Sequence, residues 1–176
     1  MSVKKIFAVG CLLGVLGVGG AGCQYTSKTV LPSDMKTIYV RTVKNAILLG
    51  DLVAYEPGTE MEITNAVIRR LHQDGNLKVV SEDKADVILD MSLIRYEQEG
   101  TRFSRLENVQ EYRLFVVMSL QLIERTTGHV LWEEPNFSGD TDYFVGDMAE
   151  MSRDKATHQA IDRLARNIVD RIVEDW

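Results

Sequence analysis

The chain has 176 residues, 26 acidic and 20 basic, with a formal charge of −6. Such a balance without a basic run makes a poor nucleic-acid binder, because neutralising phosphates takes clustered Lys and Arg. The length suits one ordinary domain with a sizeable core.

The N-terminus comes first. Lys4 and Lys5 precede seventeen uncharged residues, Ile6 to Gly22, of which six are glycine. Such a run is marginal for a membrane-spanning helix. It fits a secretory signal, with a charged start, an apolar middle and a small-residue end. The stretch GVGGAGCQYTS then resembles the bacterial lipobox, with Gly20 where leucine is usual, and Cys23 is the expected lipid-attachment residue. Cys11 lies too close to Lys5 for an apolar region of roughly 7 to 15 residues to fit between them. An uncleaved anchor, or ordinary signal cleavage nearby, is the rival reading. The expected division is a signal over 1–22, a lipidated tether over 23–35 and a single domain over 36–176. Cys11 would leave with the signal and Cys23 would carry lipid, so the mature chain would have no disulfide and no cofactor beyond that lipid. Loss of Lys4 and Lys5 takes the formal charge from −6 to −8. Attachment to a membrane would then rest on acyl chains, of which more than one gives stable anchoring.

KTIYVRTV, 36–43, reads as a strand by its β-branched and aromatic content. Residues 44–58, broken by Gly50 and closed by Pro57-Gly58, read as a long loop holding at most a short element. Thr59 and Glu62 have capping-box spacing. Behind them Ile63, Ala66, Val67 and Leu71 form a helical stripe, and Gly75 suits its C-terminal cap. LKVV, 77–80, is a short strand. The segments 86–96 and 111–124 alternate as long half-buried strands, and 129–134 is a returning one. Residues 97–111 read as a long hairpin connection, and 135–146 as another loop. A last helix carries the stripe Ile161, Leu164, Ala165, Ile168, Val169 and Ile172. Strands with one apolar face and helices with one apolar stripe pack most economically as an α+β two-layer sandwich. Two helices would cover one face of a mixed, mainly antiparallel sheet of about four strands.

No constellation for catalysis emerges. His72, His129 and His158 have no metal-ligand spacing and read as solvated surface residues. GxSxG, P-loop and GxGxxG patterns are absent. The expectation is a non-enzymatic protein. The candidate contact residues are Arg102, Phe103, Arg105 and Leu106 in the 97–111 segment. Arginine grips phosphate through two parallel hydrogen bonds, and the apolar pair would cover hydrocarbon. The plainer alternative is a hairpin tip whose Phe103 folds back onto the core. Phe115 and Val117, opposite the apolar set of their strand, are expected to form an exposed patch or lie under a loop.

Taken in order, GCQYTS, LPSDMKTIYV, YEPGTEMEITNAVIRRL, DGNLKVVSEDKADVIL, EYRLFVVMSLQLIERTTGHVLWEE and SGDTDYF resemble the lipopolysaccharide-assembly lipoproteins related to LptE. The segment Ala46 to Ala54 looks like an insertion, and 97–106 lacks the proline expected there. The resemblance implies an outer-membrane lipoprotein, its Gln24 in place of a retention aspartate. It implies a lipid-anchored, periplasm-facing plug of a large β-barrel translocon that helps deliver lipopolysaccharide to the surface. Of the site residues it carries over only Cys23. The rivals are a tethered activator of a cell-wall-synthesis enzyme and an envelope hydrolase. About a dozen residues between Cys23 and the first strand span roughly 40 Å when extended, which suits a partner near the membrane.

Overall fold

The computed structural model describes residues 35–48, 55–144 and 153–173. Cys23 and the expected signal and tether lie outside the described residues, as do most of Ala46 to Ala54.

Two helices pack on one face of a mixed sheet of six strands. The strands are β1 (Thr37–Val40), β2 (Lys44–Asn45), β3 (Lys78–Val79), β4 (Val87–Phe103), β5 (Val109–Glu124) and β6 (Val130–Phe144). The helices are α1 (Thr59–Asp74), between β2 and β3, and α2 (Arg153–Val173), after β6. The sheet order is β3-β1-β4-β5-β6, with β2 also on β4. The first three strands run parallel to their neighbours, and β4-β5-β6 form an antiparallel meander. The α+β sandwich expected from periodicity is the fold observed, with six strands where about four were expected.

The expected strand over 36–43 is split. Ile38 and Val40 alternate into the core, but Val43 is also buried, one residue out of phase. Its backbone N–H leaves the ladder and donates to the Thr64 hydroxyl on α1 at 3.0 Å. Pairing with β4 resumes at Lys44–Ser92, inside the segment read as a loop.

Helix α1 buries Ile63, Ala66, Val67 and Leu71 as its stripe requires. Its N-terminus is not a capping box. Gly58 is the cap, and its carbonyl accepts from Met61 and Glu62. Thr59 is already helical and donates its hydroxyl to the Glu56 carbonyl at 2.6 Å. Gly75 does close the helix, in the left-handed conformation at φ 78°, with its N–H on the Leu71 carbonyl.

The two largest departures are strand lengths. Residues 97–103 are strand, and β4 pairs with β5 from Val87–Glu124 out to Phe103–Val109. The true connection is the five residues 104–108. There the Ser104 hydroxyl accepts from the N–H groups of Leu106 and Asn108, and Glu107 takes φ 62°. Likewise 135–144 continues β6. Pro135 is tolerated because β6 is an edge strand and Pro135 lies in a bulge, between the Glu134–Leu120 and Phe137–Met118 pairs.

One core cluster joins the inner face of the sheet to the stripes of both helices. Where α2 begins to cover the meander, the Tyr96 and Thr157 hydroxyls meet at 2.7 Å in a buried contact. Beyond Tyr96 burial in β4 falls away. At about 3.3 Å per residue, the 17 residues of β4 extend roughly 55 Å. The 21 residues of α2, at 1.5 Å each, extend roughly 32 Å. The far end of the meander is therefore uncovered by the helices.

Candidate functional site

That uncovered end brings together all four candidate contact residues. Arg102 and Phe103 end β4, and Arg105 and Leu106 lie in the turn. Phe103 does not fold back into the core; it is 57 % exposed and Leu106 82 %. The Phe103 ring instead leans towards Gly100 of its own strand, where it would meet an added Cβ at 3.1 Å.

Arg102 is held across the sheet. It pairs with Glu111 of β5 at 3.4 Å, and its guanidinium carbon lies 5.8 Å from the centroid of the Phe144 ring on β6. Pairing in register sets these three residues in one row, since Arg102 opposes Glu111 and Glu111 opposes Phe144. Arg105 has no ion-pair partner among the described residues. Phe103, Leu106 and Phe144 are half of the six large apolar side chains that are exposed among the described residues. Three such residues beside two guanidiniums make an amphiphilic end, able to meet hydrocarbon and oxyanions together.

Phe144 was not legible as part of a strand because residues 135–142 before it carry one large apolar side chain, Phe137. The available signal was the alternation of Gly139, Thr141 and Tyr143, which all pack inward. Tyr143 stacks on Tyr112 with centroids 5.7 Å apart, stiffening the inner face just below the tip. On the outer face Arg113 grips Asp142 through two hydrogen bonds, at 2.6 and 2.9 Å. That bidentate pair holds the Asp142 carboxyl below its ordinary pKa and raises that of Arg113.

The other expectations divide. The three histidines are exposed, with His158 touching Glu62 across the helix pair. The exposed Phe115–Val117 patch is not found. Val117 is only 5 % exposed and Phe115 is half-buried. On the open face Arg95 and Ser138 flank Val117, while Glu97 and Asp140 flank Phe115. Among the described residues no group of three or more His, Cys, Asp and Glu could hold a metal ion. No helix among them is long and apolar enough to cross a membrane.

The class these features define is a two-layer α+β module with a projecting, amphiphilic β-meander. The LptE lipopolysaccharide-assembly family matches residues 35–176, and the chain belongs to that family. No curated protein matches it. Among solved structures, a hypothetical protein of Chlamydia trachomatis aligns with a TM-score of 0.52 at 12 % identity, over 78 % of this chain and 95 % of that one. A lipoprotein B of Nitrosomonas europaea gives 0.51 at 14 % identity, over 78 % and 84 %. A PelC dodecamer from Paraburkholderia phytofirmans gives 0.51 at 12 % identity, over 79 % and 90 %. These likenesses show the shared fold.

Proposed function

We propose that the protein is a lipoprotein of the outer membrane, anchored through Cys23 and facing the periplasm, that plugs a β-barrel translocon and helps deliver lipopolysaccharide to the cell surface. Membership of the lipopolysaccharide-assembly family across residues 35–176 carries this reading. The fold is compatible with it: a body packed around one core, with one bare end that offers cations and apolar side chains together. In this role Arg102 and Arg105 bind lipid A phosphates, while Phe103 and Leu106 lie along its acyl chains. Phe144 extends the same surface on β6, two strands across the sheet from β4. The role asks for binding and positioning, with no bond made or broken by the protein.

The experiment is a mild-detergent pull-down of the full-length protein from its own outer membrane, with mass spectrometry of the captured partners. A stoichiometric large β-barrel protein is the expected result. Recovery of a wall-synthesising enzyme instead, or of nothing, would overturn the plug reading.

A further inference from the structure

The two helices hold a second feature, far from the meander tip in sequence. A cavity of about 470 Å³ opens between α1 and α2. Its floor is Ala66 on α1 and Ala165 on α2, both buried. Small side chains on the two helices leave space between them that larger residues would fill. Above the floor, both helices supply polar and charged side chains. Arg69, Arg70 and Gln73 follow Ala66 at three, four and seven residues, and Arg166 follows Ala165 by one. Asp162 is the one carboxylate in the lining.

The charge balance is unusual for this chain. Three guanidiniums against one carboxylate leave the lining at a formal +2, whereas the whole chain carries −6. Counting Asp170, which reaches Arg70 from outside the lining, leaves +1. The existing pairs are loose, with Arg69 3.9 Å from Asp162 and Arg70 3.4 Å from Asp170. Arg166 has no ion-pair partner among the described residues. The Arg70 Nε is buried without a hydrogen-bond acceptor among the described residues. The Arg70 side chain as a whole is 32 % exposed, so its guanidinium can still reach an oxyanion in the groove that it lines.

From this we infer that the interhelical groove is a binding site for a phosphate-bearing anion, with Arg69, Arg70 and Arg166 as its ligands and Gln73 as a neutral donor. Several guanidinium forks around one concavity match a phosphate or diphosphate better than a single carboxylate, because each fork can take two oxygens. The site is independent of the meander tip and does not rest on the proposed function. The phosphate could belong to a soluble anion or to a lipid headgroup, and the two are separable.

The test is calorimetric titration of the full-length protein, in nonionic detergent, with sodium pyrophosphate and in parallel with water-soluble dihexanoylphosphatidic acid. Binding is expected to weaken about tenfold or more in Arg166→Gln and in Arg69→Gln, as for loss of a charged hydrogen bond. Arg166→Lys should recover part of the loss. The double variant Arg102→Glu, Arg105→Glu should bind as the parent does, which separates this site from the tip. Arg166 is exposed, so its replacement leaves the fold intact, checked by an unchanged thermal midpoint. Binding of both probes assigns the groove to phosphate as such, and binding of the lipid alone assigns it to headgroups. No binding of either, or binding undiminished in both Gln variants, overturns the site.

Discussion

Gly139 of β6 lies against Leu164 of α2 so closely that a Cβ at position 139 would sit 2.7 Å from the Leu164 Cβ. It would also sit 2.7 Å from the Ala160 carbonyl oxygen. The absence of a side chain at Gly139 is what lets the helix seat on the edge of the meander. Gly139→Ala is therefore expected to destabilise the fold by about 1–3 kcal/mol through overpacking, and Gly139→Val by more. Urea denaturation of the parent and both variants checks this. A stability unchanged in Gly139→Val would mean that α2 does not pack there.

The Tyr96–Thr157 contact closes the covered part of the core. Both groups are buried, and desolvation is the largest influence on the Tyr96 phenol, raising its pKa. Tyr96→Phe leaves the Thr157 hydroxyl without this partner and should cost about 1–3 kcal/mol. Removing both hydroxyls with Tyr96→Phe and Thr157→Val should cost less than the sum of the single changes, a coupling that a double-mutant cycle measures. Strict additivity would show that the two hydroxyls do not stabilise one another.

Acid should weaken the protein through carboxylates that the fold holds below their ordinary pKa, Asp86 and Asp142 among them. The Thr37 hydroxyl and the backbone N–H groups of Lys36 and Thr37 hold Asp86 below the ordinary aspartate value of 3.8. Arg113 does the same for Asp142. The unfolded chain thus takes up these protons first as pH falls. The stability they contribute is complete above the ordinary value and is lost as pH falls through the lowered folded values. Asp86→Asn should lower the midpoint at neutral pH and flatten its fall in acid, read from thermal midpoints measured across the acid range. An acid limb as steep as the parent's would locate the sensitivity elsewhere.

The meander tip predicts a separation of binding from stability. Arg102→Glu together with Arg105→Glu removes an ion pair at the sheet surface and sets a carboxylate opposite Glu111, each effect about 0–1 kcal/mol, so the denaturation midpoint should fall only slightly. Affinity for phosphorylated lipid A should fall at least tenfold, and further loss should follow Leu106→Ser. Surface plasmon resonance against immobilised lipid A reads both effects. Binding equal to the parent's would retire the tip as a contact surface.

Anchoring has its own variant. Cys23→Ser should move the protein from the membrane fraction to the soluble one and remove the acyl mass from its N-terminal peptide. Continued sedimentation with membranes, without acyl mass, would point to an anchor other than lipid.

Periodicity alone determined the inner layer of this protein. The stripes of α1 and α2 and the inward faces of β4 and β5 are all buried, because alternation at 3.6 and 2 residues records which side chains leave water. From these the two-layer α+β class followed, and ordered motifs supplied the family resemblance. What the pattern could not report is structure held mainly by backbone pairing. Residues 97–103 and 135–144 form strands through their ladders to β5, with few inward apolar residues to announce them. Their extension leaves the tip bare and sets Phe144 in a row with Arg102. Tertiary contact also decided Val43, which abandons its alternation because Thr64 receives its N–H, and Thr59, which a glycine displaces as cap. The arginines of the interhelical groove are the clearest case. Each reads as an ordinary polar helix position, and only the side-by-side packing of α1 and α2 concentrates their charge over two alanines.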